Sequence, residues 1–411
     1  MRIHFYSISY SPEKAGSGRY NGELTEWLAS QGHQVDVITA HPYYPEWRVH
    51  KAYRGKGWCT ERHGNLTVYR CPLYVPKAVT GSSRILHELS FTLSSLVFWV
   101  GCLFRRYDLA IGMCPPLVVG LFPYLFSVLK RIPFLFHVQD LQVDAARELG
   151  MIRNKHLLNV LDRVEKFLLR RAAAVSSISE GMRQNIIAKG VHPDRYFMLP
   201  NWADTDFIRP LPPAESLRAE LAIAATQKVI LYSGNMGEKQ GLEIILDAAE
   251  QLCHDPSFVF LLCGEGAARA RLLKEAANRG IANVRFLPIR PYEDLPRILA
   301  TGDVHLVILK KSTSDLVMPS KLVSILSAGG VPIVSAELGS TLHRLVTEHK
   351  VGLSTSPEDA TELAATIRRA FSGEIDLTDL RRRSRKYAET SLSKAAILVQ
   401  AESHLRRLCQ K

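Results

Sequence analysis

The sequence predicts an α/β protein built as two doubly wound domains that face one another across a cleft. Three observations lead there. At 411 residues the chain is too long for one ordinary core. A strand–glycine turn–helix unit stands near the N-terminus, and another at residues 229–252. Between them, residues 196–213 (YFMLPNWADTDFIRPLPP) lose apolar periodicity and gain proline, which places the domain boundary there, with domains over 1–205 and 206–388.

In the first half, Ile3, Phe5 and Ile8 alternate with polar residues as a short strand. A loop from Ser11-Pro12 ends in Gly16, Ser17 and Gly18, and a helix over 19–30 follows. Gly32 stops that helix, and Val35, Val37 and Ile38 form the next strand. A dinucleotide site would want an acidic residue after that strand, where Thr39, Ala40 and His41 stand instead. The Gly16–Gly18 loop either lets backbone approach a substrate phosphate or serves as a tight packing turn. Residues 41–58 interleave aromatic rings and bases, as a sugar-phosphate grip or an ordinary loop of packed tyrosines would. Ile85–Phe104 is the most apolar stretch, and Ile85, Leu89, Leu96, Val100 and Leu103 fall close to one helical face. The spacing predicts a core helix, with a helix dipping into a bilayer interface as the alternative. Strands are expected at 108–113 and 134–138. His137, Asp140 and Asp144 cluster where the second of these ends, the edge at which open α/β sheets bind ligands. A long charged helix over 155–171 and a strand over 173–177 close the half.

The second half repeats the pattern. A strand over 228–232 runs into Gly234, Gly237 and Gly241, and a helix follows with Leu242, Ile245, Leu246 and Ala249 at helical spacing. Such a turn suits a phosphate, because free N–H groups and the positive end of a helix meet there. Its spacing matches neither the dinucleotide fingerprint nor a Walker A loop. Further strands are expected at 258–263, 284–287 and 303–309. Met318-Pro319-Ser320-Lys321 then opens a helix that Gly329-Gly330 ends, which puts Ser320 and Lys321 at a helix N-terminus near a sheet edge.

The net charge of +12 points to nucleic acid, an anionic membrane or a polyphosphorylated substrate. No nucleic-acid motif supports the first. Seven scattered cysteines with no C-x-x-C pair suggest a reduced cytosolic chain without a disulfide framework or zinc site. The first residues look like a strand and not a signal peptide.

Taken together, several strings resemble glycosyltransferase family 4, a GT-B family of two Rossmann-like domains. They are Ser11–Gly18, Gly32-His33-Gln34-Val35, Leu199-Pro200-Asn201, Gly234–Gly241, Gly264–Gly266 and Asp303–Leu309. Ala40–Trp47, Cys71–Lys77, His137–Asp140, Val143–Ala145, Tyr232–Leu242 and Pro319–Leu322 resemble, closer still, the colanic-acid biosynthesis glycosyltransferases, thought to transfer fucose. Two departures stand out. Asn235 and Gln240 occupy positions where many members carry Arg and Lys, with Lys239 one place earlier. Ser324 and an out-of-register Asp315 stand near two glutamates of the wider family.

The resemblance implies a retaining hexosyltransferase, with a C-terminal helix over 389–411 returning to the first domain. Gly234, Asn235, Gly237, Lys239, Gln240, Ser320 and Lys321 are the candidate donor-diphosphate residues, and Asp140 and His137 the catalytic candidates, one or the other orienting the acceptor hydroxyl. The loop of Gly16, Ser17 and Gly18 would close on the donor. No cofactor and no metal are expected, since no acidic D-x-D pair appears where a metal-bridged diphosphate would need one. Expected partners are a GDP- or UDP-linked sugar, a lipid-diphosphate-linked glycan acceptor and the inner face of the plasma membrane, with the protein cytoplasmic and peripheral. A sugar-nucleotide epimerase and a non-catalytic scaffold of polysaccharide assembly are the alternatives.

Overall fold

The computed structural model describes residues 1–13, 16–77, 81–148, 154–237, 240–311 and 320–410. The chain divides into two compact units, one of Met1–Pro200 with Leu398–Lys411 and one of Asn201–Ile397. The division falls a few residues before the position expected from proline density, and the returning segment is shorter than 389–411.

The first unit carries β1 (Arg2–Tyr6), β2 (Gln34–Ala40), β3 (Cys59–His63), β4 (Leu66–Cys71), β5 (Leu109–Cys114), β6 (Phe134–Val138), β7 (Ala174–Ser177) and β8 (Tyr196–Met198). They form one sheet in the order β3-β4-β2-β1-β5-β6-β7-β8. All neighbours are parallel except β3 against β4, a pair with no counterpart in the sequence reading. Its helices are α1 (Ser17–Ser30), α2 (Gly81–Leu103), α3 (Leu121–Lys130), α4 (Gln142–Glu148), α5 (Lys155–Arg171) and α6 (Glu180–Ala188).

The second unit carries β9 (Lys228–Ser233), β10 (Phe258–Cys263), β11 (Val284–Leu287), β12 (Val304–Val307), β13 (Pro332–Ser335) and β14 (Leu353–Thr355). This wholly parallel sheet has the order β11-β10-β9-β12-β13-β14. Its helices are α7 (Glu243–Gln251), α8 (Arg269–Asn278), α9 (Leu295–Thr301), α10 (Ser320–Ser327), α11 (Thr341–Glu348), α12 (Ala360–Ala370) and α13 (Leu377–Ser391). The last helix, α14 (Lys394–Cys409), begins in this unit and ends in the first. There Glu402 meets His33 Nε2 at 2.8 Å, and His404 stacks on Phe197 at 4.5 Å.

The central strands are apolar runs buried on both faces, as crossover helices on either side of a parallel sheet require. In each sheet the order reverses next to the first strand. Connections run outward on one side (β1 to β2, β9 to β10) and then jump to the other (β5, β12). That reversal parts the loops at the carboxyl edge and leaves a crevice between them.

The sequence chose the wrong inward face for α2. Its core side is aromatic and small: Phe91, Ser95, Trp99 and Cys102 are buried. Trp99 stacks on His4 at 4.4 Å, Phe91 on Tyr6 at 5.3 Å, and Ser95 Oγ bonds Tyr6 Oη at 2.7 Å. The aliphatic face of Ile85, Leu89, Leu96, Val100 and Leu103 is turned outward, so α2 meets the core through the opposite face from the one expected. The helix is apolar nearly all round, and periodicity alone does not say which side the sheet takes.

Candidate active site

In the second unit, β9 delivers Tyr232 and then Gly234 to the reversal point of the sheet. Gly234 has φ +144, Gly264 +155 and Gly266 +149, conformations that side chains resist. These glycines let two loops run backbone to backbone. Gly234 N–H donates to the Cys263 carbonyl at 2.9 Å, and Met236 N–H to that of Glu265 at 2.8 Å. A Cβ on Gly264 would collide with the Gly234 carbonyl oxygen, and one on Gly266 with that of Met236.

Lys321 reaches this turn from the first turn of α10. Its Nζ lies 3.8 Å from the centroid of the Tyr232 ring. A Cβ on Gly234 would come within 3.3 Å of the same Nζ, so the glycine makes room for the ammonium. The Nζ is buried and has no hydrogen-bond partner among the described residues. Burial lowers its pKa to about 7. The ring face of Tyr232 offers it a favourable cation–π contact, and the phenol itself donates to the Asn235 carbonyl at 2.6 Å. Lys310, just beyond β12, packs its stem on Gly241.

The structure brings Gly234 and Lys321 together, with Asn235, Gly237 and Gln240 on the same turn. Ser320 is exposed at the head of α10. Lys239 lies outside the described residues. The amides differ from expectation. Gly234 N–H is bonded to Cys263, and Gly237 N–H donates to Gln240 Oε1 at 3.0 Å, so neither is a free donor here. The glycines give close approach, and the charge comes from Lys321. Tyr232 was missed as a site residue, because a tyrosine inside an apolar strand reads as core.

In the first unit, Gly16, Ser17 and Gly18 form the start of α1 at the carboxyl edge of β1. Gly16, with φ +64, and Ser17 lie at the surface end, whereas Gly18 is buried. A Cβ on Gly18 would sit 2.8 Å from Glu13 Oε2. Glu13, not singled out from sequence, is buried and accepts Tyr43 N–H at 2.9 Å and Tyr44 N–H at 3.0 Å. Burial pushes its pKa up to about 7 against those bonds. It thereby fastens the glycine loop to the aromatic loop, whose rings pack mainly on their neighbours: Tyr43 lies 5.6 Å from Trp47 and 4.5 Å from His87.

His137 and Asp140, the candidates for the acceptor hydroxyl, lie in different surroundings. The His137 ring points into the core, its Nδ1 2.8 Å from Ser176 Oγ, and burial lowers its pKa to about 3. It lines a void of about 10 Å³ walled by Leu24, Met113, Phe197 and Leu405. Asp140 lies past the end of β6, half-buried, its carbonyl accepting from Cys114 Sγ at 3.7 Å. Asp144 is committed elsewhere: Lys189 Nζ donates to it at 2.7 Å and also binds the buried Glu165.

Family models place this geometry. The "Glycosyl transferase 4-like domain" matches residues 15–202, and "Glycosyl transferases group 1" matches residues 213–391. The colanic acid biosynthesis glycosyl transferase WcaI of Escherichia coli is 39% identical over 415 residues, covering 99% of this chain and 100% of its own. The chain belongs to the family 4-like, GT-B glycosyltransferases. Among solved structures, sucrose-phosphate synthase from Thermosynechococcus elongatus superposes with a TM-score of 0.78 at 19% identity, covering 99% of this chain and 98% of the other. Anabaena HepE, solved in complex with UDP and glucose, gives 0.73 at 18%, covering 99% and 100%. This glycosyltransferase thus shares its fold with enzymes far from it in sequence, while its likeness to WcaI runs the full length of both chains.

Proposed function

We propose that this glycosyltransferase moves a hexose, of which fucose is our first choice, from a GDP- or UDP-linked sugar to a lipid-diphosphate-linked glycan of exopolysaccharide synthesis, working peripherally at the inner face of the plasma membrane. The observation that carries the donor half is the Nζ of Lys321, buried against Gly234 with no hydrogen-bond partner among the described residues. A cation desolvated without a counter-charge is costly, and a departing diphosphate is the counter-charge that would repay it. HepE, solved with UDP and glucose, and WcaI, of colanic acid synthesis, support the choice of donor and pathway class.

In this reading the bond between the sugar's anomeric carbon and the diphosphate breaks, with its electron pair leaving on the phosphate. Lys321 neutralises that charge, Ser320 and Lys239 are assigned to the same diphosphate, and no metal ion is required. The acceptor hydroxyl attacks the same face of the sugar, so configuration is retained, and its proton passes to the leaving phosphate. Asp140 orients that hydroxyl by accepting its hydrogen bond in the docked complex, before the proton turns to the phosphate. His137 drops out as a catalytic candidate in this proposal, because its ring is held neutral inside the core.

A thermal-shift screen of GDP- and UDP-sugars, followed by transfer assays with a lipid-linked acceptor and EDTA, tests the proposal. One nucleotide class is expected to stabilise the protein, and transfer to proceed equally with EDTA. Conversion of donor alone into a new sugar nucleotide would instead mean an epimerase, and stabilisation by no nucleotide sugar a scaffold.

A further inference from the structure

We infer that the outward face of α2 and α3 is a docking surface for an anionic lipid bilayer, with α2 lying in the plane of the interface. The inference rests on the peripheral-membrane reading above and says which surface makes the contact.

Only 28% of the most apolar stretch of α2 is buried. On its outer side Leu93, Val100 and Phe104 are exposed, Phe104 to 86%. Leu125, Val128 and Leu129 are exposed on α3, which packs beside α2 through Trp99 against Phe122 at 6.0 Å and Phe126 at 5.2 Å. The two helices are tied at one end, where Lys130 Nζ donates to the Leu103 carbonyl at 2.7 Å. Contiguous apolar surface of this kind marks an interaction site. At 23 residues α2 is about 34 Å long, enough to cross a bilayer. Crossing would tear Phe91, Ser95 and Trp99 from β1, so the helix is restricted to lying on the membrane with one side in the sheet.

Charge decides the occupant. Between Glu88 and Asp140 the sequence holds one acid, Asp108, against Arg105, Arg106, Lys130 and Arg131. Asp108 accepts the Arg2 N–H at 2.6 Å, and Arg105 is paired with Asp36 at 3.4 Å. Arg106 and Arg131 are exposed and have no carboxylate partner among the described residues. A mainly basic fringe is poorly complemented by a second copy of the same face, whereas anionic headgroups match it over an apolar interior. Trp58, 51% exposed, donates its Nε1–H to the Ser94 carbonyl at 2.8 Å, and a half-exposed tryptophan on the margin suits an interface.

The test is co-sedimentation of the full chain with vesicles of equal parts phosphatidylglycerol and phosphatidylcholine, or of phosphatidylcholine alone. Pelleting with the anionic vesicles is expected, weakening with salt. The triple variant Leu93→Glu, Val100→Glu, Leu129→Glu, all at exposed positions, should lose at least about tenfold in partitioning. Arg106→Glu and Arg131→Glu should each lose about fivefold. Near-UV circular dichroism and nucleotide-sugar stabilisation should be unchanged in every variant. Failure of the wild type to pellet with anionic vesicles would overturn the inference, as would a triple variant that pellets as well as wild type. So would light scattering that shows a dimer broken by the triple variant without vesicle binding. Vesicle binding without any nucleotide-sugar stabilisation would sink the donor proposal and leave this one standing.

Discussion

Lys189 and Lys321 each bury an ammonium near the edge of a sheet, and the two are treated in opposite ways. Lys189, at the end of α6, is held by Asp144 of α4 and Glu165 of α5. Burial pulls its pKa down, but the two carboxylates overcome that and hold it above the ordinary lysine value. Among the described residues Lys321 has burial without carboxylates, and its pKa falls to about 7. One charge is spent inside the fold, joining three helices. The other is kept in reserve, with an aromatic ring beneath it and a glycine beside it. A charge that the fold does not use is the better guide to the site.

Four experiments would break or sharpen that contrast. Lys189→Met should destabilise the protein by about 3–5 kcal/mol, because it strands two carboxylates, and denaturant unfolding would read it. Lys321→Met should do the reverse: stability no lower than wild type, with kcat/KM for transfer down about 10²–10³-fold. A loss of stability matching that of Lys189→Met would make Lys321 a structural cation and end the comparison. Asp140→Asn should lower transfer about 10²-fold or more while nucleotide-sugar stabilisation stays intact; loss of both would move Asp140 out of the acceptor role.

The smallest effect is in pH. Free Lys321 gives up its proton near pH 7, and a bound diphosphate favours the charged form. Donor affinity should therefore be full below pH 7 and fall by up to about tenfold per unit above it, and Lys321→Met should flatten the profile. Stability of the unliganded protein runs the other way. Between about 7 and 10.5 the unfolded chain binds the extra proton, so stability should rise with pH across that window. Thermal melts with and without nucleotide would show the two slopes.

Local chemistry was readable where neighbours in sequence set it. The strand–glycine–helix units, the proline-rich boundary and the helix opening at Ser320 and Lys321 all follow from propensity and spacing. What escaped needed distant partners. Nothing in the sequence puts Tyr232 under the amine of Lys321, or Glu13 against the amides of Tyr43 and Tyr44. His137 stood at the end of an apolar strand, and alternation does not reveal that both faces of β6 are covered. The outward turn of α2 escaped for the same reason: the helix offers two apolar sides, and β1 took the one bearing rings.

The course of α14 bears on how the protein is made. The surface of the first unit around His33 and Phe197 waits for Glu402 and His404, which the ribosome delivers only after the whole second unit has been synthesised. Residues 1–200 released early, or expressed by themselves, would leave that surface bare. Maturation of the N-terminal half is thus timed by a helix translated after the second unit.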